Sequence, residues 1–418
     1  MKNKITLFAA ILINLNTILG AGIFINPGPL TNIAQSFGFL SYFFSMLILM
    51  PIVLSVAELA QLYPTSGGLY VYSRKYISPM TGFISGWGYF VGKATAAALL
   101  CNVVVMFLQR RILFLQNFSL LFLDFLMIFS LIGLNILGAK IGGRIQYLFA
   151  ASKFIPILVV IFSGIFFVAL PETPTENIFT LISSSIPIAI FALTSFEVIC
   201  SIGHMIENPQ KNIKKAILIS FGLAVLFAIS FQLIMYSVVG PSLAYSVEPL
   251  KDFGLKIFSD YPLVARIISA LVMGSILGGA FSSLTTNSWN VYKFAEDNFI
   301  PFKNFFIKVN DNGSAWAGLL FEGLIAIILL IITKQQIPLQ SMAVFGVVSC
   351  YLFSSTAALF AYSKKKAVFR IIPILAILSS SYVLWLCLKK LYLFGISFSY
   401  LSIFLGGILI ALFRYKKN

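Results

Sequence analysis

Charged residues are scarce in this sequence. Only 10% of the 418 residues are charged, whereas 59% are hydrophobic and the mean hydropathy is +0.97. Soluble globular domains carry about 25% charged residues. The composition therefore excludes a soluble domain and predicts a polytopic membrane protein. The first apolar run is too long for a signal peptide and has no small-residue cleavage site, so we expect it to be retained.

Histidine, acidic residues and cysteine are also few. One histidine and 13 acidic residues do not supply the catalytic set of a membrane enzyme, and we expect no enzyme activity, metal or cofactor. The four cysteines lie in apolar runs without metal-ligand spacing. The sequence also lacks a Walker-type phosphate loop, a repeated pore loop and a ring-forming charged motif. These absences disfavour an enzyme, an ATP-driven pump and an ion channel.

Apolar runs separated by polar or Gly/Pro clusters predict twelve membrane helices in one domain, 1–418. Helices 1–5 occupy about 5–170, helices 6–10 about 182–361, and two peripheral helices about 367–413. The predicted spans are 5–35, 39–62, 79–109, 117–138, 145–170, 182–206, 213–240, 263–297, 315–333, 337–361, 367–388 and 392–413.

The basic residues predict the orientation of the chain. If the N-terminus is cytoplasmic, most of the 29 Lys and Arg residues fall on the cytoplasmic side, so we expect both termini there. The net charge of +16 then reflects membrane topology, and we expect a lipid environment, in the cell (inner or plasma) membrane, and no nucleic-acid partner. Arg110 and Arg111 oppose this bias, which suggests that the third helix ends elsewhere than at 109.

The first predicted helix contains a feature that disfavours continuous helix. Gly20 and Gly22 lie two residues apart, with Pro27 and Gly28 just beyond. One interpretation is a broken helix that stops near Ile18, is extended through 20–22 and restarts near 24. Irregular backbone at that depth is tolerated where it lines a cavity, which in transporters is typically the substrate site. The alternative is a glycine contact between packed helices.

The sixth predicted helix contains a second candidate break. Thr194, Ser195 and Glu197 are polar in mid-membrane, and hydroxyl side chains loosen helices by bonding to the backbone. This segment follows the first break by five helices. Breaks at matching positions predict an inverted repeat of helices 1–5 and 6–10, with substrate held between them.

Four stretches resemble the amino acid–polyamine–organocation (APC) superfamily of amino acid permeases. They are 20–24 at the first break, 58–72 between helices 2 and 3, 191–197 with 207–211 at the second break, and 294–301 with 308–310 at the end of helix 8. The resemblance implies a five-plus-five inverted-repeat fold of the LeuT type, with helices 1 and 6 broken, and transport by alternating access. The sequence departs from the family at Ser195, where glycine is usual, and at His204 and Met205, where an acidic pair is usual.

The resemblance implies an amino acid as substrate, and the breaks indicate where its charged groups would bind. Its carboxylate suits the amides of Ala21, Gly22 and Ile23, because helix N-termini carry partial positive charge, and Thr17 offers a hydroxyl. Its ammonium suits free carbonyl groups near Phe191, Ala192 and Thr194. The resemblance also makes Phe191 an aromatic gate, although phenylalanine in a chain with 42 of them is more often a packing residue.

Lys153 is placed roughly 12 Å into helix 5, at 1.5 Å per residue from its start. One interpretation is a lysine that snorkels to the interface. In some members of the superfamily, however, a helix 5 lysine at a similar position replaces a sodium ion. That resemblance implies sodium-independent transport, by proton coupling or by exchange.

Other ionisable residues receive less specific predictions. We expect Glu197 to hold helix packing or a gate, and Glu58 to order a loop or serve transport. His204 is either structural or a pH sensor. For Lys93, Asp124 and Glu322 the sequence leaves three alternatives open. Each residue pairs with a partner, faces a water-filled cavity, or lies nearer the membrane interface than the predicted spans place it.

Ser282 and Ser283 of helix 8 predict a polar lining for the substrate side chain, and the sequence places no acid to receive a cationic side chain, so we expect a neutral amino acid. The function predicted is secondary transport of amino acids. The alternative within the same fold is an antiporter of amines, polyamines or amino acids, and an ion channel is the alternative from another class. The sequence gives no oligomeric state.

Overall fold

The structure of the protein is a computed structural model that describes residues 4–64, 68–137, 139–169, 177–362 and 368–415. Within these ranges only the backbone is described for 139–151 and 368–369. The predicted end of helix 5 at 170, the predicted start of helix 11 at 367 and part of the 58–72 stretch lie outside the described residues.

The first half of the chain is helical wherever it is described, apart from short connections. Its helices often begin with a capping side chain or proline; Ser78, for example, accepts a hydrogen bond from the Thr81 amide, and Pro79 follows it. The helices are α1 (Leu7–Ile18), α2 (Gly22–Ile25), α3 (Pro27–Ala34), α4 (Gly38–Leu62), α5 (Gly68–Tyr76), α6 (Pro79–Arg111), α7 (Leu120–Ile136) and α8 (Ala139–Gly164).

The second half repeats this organisation of long helices with short connecting ones. Its helices are α9 (Ile178–Leu193), α10 (Pro209–Val239), α11 (Pro249–Ile257), α12 (Pro262–Glu296), α13 (Lys303–Phe306), α14 (Trp316–Ile332), α15 (Gln336–Ala361), α16 (Val368–Leu393) and α17 (Ser397–Tyr415). A helix therefore overlaps each of the twelve predicted segments, while α5, α11 and α13 lie in connections where no helix was predicted.

The length and hydropathy of these helices are those of an integral multi-pass membrane protein. Among the described residues, nine helices are long and apolar enough to cross a membrane. Three shorter apolar helices, Leu120–Ile136, Ser152–Phe167 and Trp316–Ile332, accompany them. Large apolar side chains such as Phe162 and Leu226 are exposed on the outer faces, where lipid would surround them.

Two helices at the centre of the bundle approach so closely that only glycine fits between them. A Cβ atom on Gly346 of α15 would lie 2.5 Å from the backbone nitrogen of Gly92 in α6, and one on Gly92 would lie 2.7 Å from the backbone nitrogen of Val347. Small residues of this kind allow membrane helices to pack backbone to backbone. The contact fixes α6 against α15 one residue before Lys93.

The third membrane helix ends later than predicted, and one of the two arginines at its end has an acidic partner. α6 continues to Arg111, whose guanidinium forms an ion pair with Glu248 and a hydrogen bond with Ser269 of α12. Burial raises the pKa of the Glu248 carboxyl, but the hydrogen bonds from Arg111 and Ser269 and the positive charges of Arg111 and Lys251 together outweigh burial and hold this pKa below its usual value. Arg111 is therefore neutralised by a partner from another segment.

The residues before α1 pair with the chain that follows the second break. The Ile5 amide donates to the Met205 carbonyl oxygen at 2.9 Å, and the Glu207 amide donates to the Ile5 carbonyl oxygen at 2.9 Å. These two backbone hydrogen bonds join the N-terminal end of the first broken helix to the C-terminal end of the second.

Candidate substrate site

The first break is confirmed, but it is shorter than predicted. α1 ends at Ile18, and the Gly20 amide donates to the Ile18 carbonyl oxygen at 2.6 Å. Ala21 has helical angles, with φ −61° and ψ −21°, and its carbonyl oxygen accepts from Phe24 and Ile25. The prediction of an extended segment through 20–22 with a restart near 24 is therefore wrong, because the helix resumes at Gly22.

The second break lies where the sequence placed it. α9 ends at Leu193, Thr194 is extended, and Ser195 has φ 79°. This left-handed conformation favours glycine, the residue usual at this position in the superfamily that the sequence resembles. The chain continues in two 3-10 turns, Val198–Ser201 and Gly203–Met205. The Thr194 hydroxyl donates to the Phe191 carbonyl oxygen at 3.0 Å, so one lone pair of that oxygen is occupied.

The two breaks touch each other. A Cβ atom on Gly22 would lie 2.7 Å from the Cα of Ala192, closer than real Cβ contacts occur. A Cβ on Gly20 would come no closer than 3.7 Å to its neighbours, an ordinary contact. Both interpretations of the glycine pair therefore apply, since Gly20 lies in the break and Gly22 is a packing glycine that brings α2 against the end of α9.

A cavity of about 190 Å³ lies where the breaks meet. Sites for drug-sized ligands typically measure about 300–1,000 Å³, so this one suits a smaller molecule. Both breaks and three further helices contribute the lining, which is polar or small apart from Ile18, Leu100, Phe191 and Val198. The polar and small residues are Asn16, Thr17, Gly20, Ala21, Gly22, Ala192, Thr194, Ser195, Tyr89, Lys93, Ala96, Lys153, Ser275, Gly278, Gly279, Ser282, Ser283 and Thr286.

Most residues predicted for the site lie on this cavity: Thr17, Ala21, Gly22, Phe191, Ala192, Thr194, Lys153, Ser282 and Ser283. The Thr17 hydroxyl donates to the Asn14 carbonyl oxygen at 2.7 Å, which leaves it as an acceptor towards the cavity. Ile23 does not line the cavity; it lies in the first turn of α2, and its side chain is buried in the core.

Lys153 reaches the first break. Its ammonium donates to the Asn16 carbonyl oxygen at 2.7 Å and to the Asn16 Oδ1 at 3.2 Å. In a continuous helix the Gly20 amide would bond to the Asn16 carbonyl group, but here it bonds to Ile18. Lys153 therefore takes an acceptor that the break releases, which is incompatible with the snorkelling interpretation.

Lys93, which the sequence left open, also lines the cavity. Its Nζ lies 2.7 Å from the Ser195 Oγ and 3.9 Å from the Glu197 Oε1. Glu197 is 3% exposed and lies behind this lysine, and its other oxygen accepts a hydrogen bond from the Tyr351 hydroxyl at 2.6 Å. Glu197 thus links the second break to α6 and α15.

The remaining ionisable candidates lie away from the cavity. Glu58 of α4 pairs with Lys214 of α10 at 3.2 Å, so it joins two helices. Asp124 accepts from Asn102 at 2.8 Å and Glu322 from Asn287 at 3.0 Å, so both are buried acids with a partner. His204 is exposed in the turn after the second break.

Sequence reasoning missed several residues of the site. Asn16, Tyr89 and Thr286 line the cavity and were not predicted, and Tyr351 holds Glu197 without lining it. For Asn16 a signal existed, since it is a polar residue next to Thr17 in an apolar run. For Tyr351 none existed, because 154 residues separate it from Glu197.

Comparison with known proteins decides the family. The model of the family described as "Amino acid permease" matches residues 5–413. The chain belongs to the amino acid permease family. Its family relatives are transporters and not enzymes.

Individual relatives are more distant. The chain is similar to the serine/threonine exchanger SteT of Bacillus subtilis (strain 168), with 23% identity over 92% of this chain and 91% of the relative. It is also similar to the lysine-specific permease LysP of Lactococcus lactis subsp. cremoris (strain MG1363), with 24% identity over 76% of this chain and 66% of the relative. These permeases differ in the substrates that they are named for, so similarity to them assigns none to this chain.

Proposed function

We propose that this permease is a secondary active transporter that moves amino acids across the cell membrane by alternating access, independently of sodium, by proton symport or by exchange. Both termini are cytoplasmic in this proposal. The nine long helices and the three shorter apolar ones all cross the membrane, and two five-helix repeats bring α1 and α9 together at the cavity.

One observation carries the proposal: two interrupted helices meet at a small polar cavity, at Gly22 and Ala192. Interrupted helices expose backbone groups that a zwitterion can bind. The amides of Ala21 and Gly22 at the start of α2 suit the carboxylate, and the carbonyl groups at the end of α9 suit the ammonium. In the proposal Phe191, which also lines the cavity, covers the bound substrate as a gate.

Sodium independence is supported by the position of Lys153. A fixed ammonium on the Asn16 carbonyl group supplies at the first break the positive charge that a bound cation would otherwise supply. Among the described residues, none of the lysine's ion-pairing distances to a carboxylate is within 4 Å, so its charge is held by neutral oxygens. A lysine held in this way is suited to release its proton, and to take it up again as a neutral amine, as the break opens and closes.

The lining also favours amino acids over polyamines. A polyamine needs carboxylates or many acceptors for its several ammonium groups, and in the described part of the chain the cavity is lined by no Asp or Glu. Like charges in a confined site repel strongly. The two lysines of the lining would oppose a polycation.

Uptake by purified protein in proteoliposomes tests this function. A panel of labelled amino acids and amines is offered with and without sodium, with and without a pH gradient, and with or without unlabelled amino acid inside the vesicles. We expect saturable amino acid uptake that is unchanged when choline replaces sodium. Absence of uptake, exchange and binding for the whole panel would overturn the proposal, and strict sodium dependence would overturn its coupling mode.

A further inference from the structure

The charges of the cavity are unbalanced. Within the part of the chain that the structure describes, the charged residues lining it are Lys93 and Lys153, and both carry ammonium groups. Among the described residues, the carboxylate within 4 Å of Lys93 is Glu197, which does not line the cavity and lies 3.9 Å away, and no carboxylate lies within 4 Å of Lys153. One carboxylate behind two ammonium groups leaves an excess of one positive charge beside the ligand.

Lys93, which lines this space, has hydrogen-bonding capacity that the described residues do not use. An ammonium offers three donors. One is used by the Ser195 hydroxyl at 2.7 Å, and the Glu197 oxygen at 3.9 Å is beyond hydrogen-bonding distance. The Tyr89 ring lies on another side, with its centroid 5.2 Å from the nitrogen. Lys93 lines the cavity and its side chain is 15% exposed, whereas Glu197 does not line the cavity and is 3% exposed, so the lysine and not the carboxylate is next to the ligand.

We propose that Lys93 selects the substrate side chain and that the substrates are acidic amino acids, whose side-chain carboxylate binds the Lys93 ammonium beside Ser195. The inference rests on the proposed transport of amino acids. The two main-chain charges of an amino acid cancel, so a second carboxylate is what balances the excess positive charge of the cavity. A cationic side chain would be repelled by both lysines.

This substrate class differs from the neutral amino acid that the sequence led us to expect. The sequence left open whether Lys93 faced the cavity, a partner or an interface. Its position follows from the contact of Gly92 with Gly346, which fixes the rotation of α6 and turns Lys93 towards the second break. A charge-assisted hydrogen bond from Lys93 to a carboxylate is about twice as strong as one between neutral groups.

Competition in wild-type proteoliposomes tests the proposal without any variant. Uptake of a labelled substrate is inhibited by L-glutamate or L-aspartate and, as matched neutral controls of the same shape, by L-glutamine or L-asparagine. We expect the acids to inhibit at concentrations at least tenfold lower than the amides at pH 7. If the amides inhibit equally or better, the selectivity assigned to Lys93 is wrong while amino acid transport stands; if no amino acid enters or binds, the transport function itself is wrong.

Variants separate selection by Lys93 from a merely structural pairing with Glu197. We expect Lys93→Arg to keep the preference for acids, and Lys93→Met and the double variant Lys93→Met/Glu197→Gln to lose it and favour the amides. Lys215→Met, at an exposed position of α10, is the control for removal of a lysine. If the double variant regains the preference for acids, Lys93 serves only to neutralise Glu197, and the proposal is overturned. If Lys93→Met fails to fold, the double variant and the wild-type competition decide.

Discussion

The ammonium of Lys153 holds the backbone carbonyl group of Asn16, at a nitrogen–oxygen distance of 2.7 Å. The pair joins α8 to the last turn of α1, just before the break. It exists because the Gly20 amide bonds to Ile18 and leaves the Asn16 carbonyl group without its helical partner. The break therefore leaves a carbonyl oxygen without a donor, and the Lys153 ammonium supplies that donor.

Removal of the Lys153 ammonium is expected to impair transport. Lys153→Ala leaves the half-buried Asn16 carbonyl group without its donor. The loss of a donor to a fully buried group costs about 1–3 kcal/mol, and 1.4 kcal/mol corresponds to about tenfold in an equilibrium constant. We expect initial uptake in proteoliposomes to fall about tenfold or more. Lys215→Ala serves as the control at an exposed lysine. Full activity of Lys153→Ala would contradict the role assigned to this residue.

The two glycines of the first break are expected to respond differently to substitution. Gly22→Ala forces a methyl group against the Ala192 backbone, and overpacking of this kind typically costs about 1–3 kcal/mol. The same change at Gly20 meets ordinary contact distances. Thermal unfolding in detergent and uptake should both suffer in Gly22→Ala, with Gly20→Ala close to wild type in thermal stability. Equal stability of the two variants would show that the breaks do not touch as described.

Ser195 is expected to be more stable as glycine than as alanine. Both changes remove the hydroxyl that accepts from Lys93, but only glycine also relieves the left-handed backbone at φ 79°. A non-glycine residue in this conformation costs roughly 1–2 kcal/mol. The unfolding temperature of Ser195→Gly should therefore exceed that of Ser195→Ala. The reverse order would be inconsistent with a left-handed residue at the second break.

Low pH is expected to weaken the ion pair between Arg111 and Glu248. Because the folded-state pKa of Glu248 is lower than its unfolded-state value, the carboxylate stabilises the fold above about pH 4.5 and loses this effect as pH falls through the folded-state pKa. Unfolding temperatures measured in detergent from pH 7 to pH 3 should fall less steeply in Glu248→Gln than in wild type. Asp260→Asn, an exposed acid in the connection before α12, is the control. If the unfolding temperature of Glu248→Gln falls as steeply between pH 7 and pH 3 as that of wild type, this contribution is excluded.

The local irregularities of the fold could be predicted from the sequence. Gly20 and Gly22, with Pro27 beyond, and the polar group Thr194, Ser195 and Glu197 indicated both breaks, although similar pairs such as Ser282 and Ser283 lie within the continuous helix α12. A lysine deep in an apolar run is a functional candidate by default. The short helices α5, α11 and α13 were missed because they lie among polar connecting residues rather than in apolar runs. The restart of the helix at Gly22 rests on the hydrogen bonds that the Ala21 carbonyl oxygen accepts from Phe24 and Ile25. The sequence does not indicate which carbonyl group accepts these first amides.

The residues that make contacts between distant segments could not be predicted. The matching breaks indicated that the two segments lie on either side of the substrate, but nothing in either segment indicates that Gly22 packs against Ala192, 170 positions away. The sequence also could not predict that the Lys93 side chain faces the cavity. α6 is apolar around most of its circumference, so its sequence gives no stripe from which the rotation of the helix can be deduced.

The backbone pairing of Ile5 with Met205 and Glu207 has a mechanical consequence. It couples the two interrupted helices at their ends, far along the chain from the point where Gly22 meets Ala192. Two segments joined at two places move together more readily than they move separately. Any tilt that carries α1 away from the bundle must therefore either take the turn at Gly203–Met205 with it or first break these two backbone hydrogen bonds.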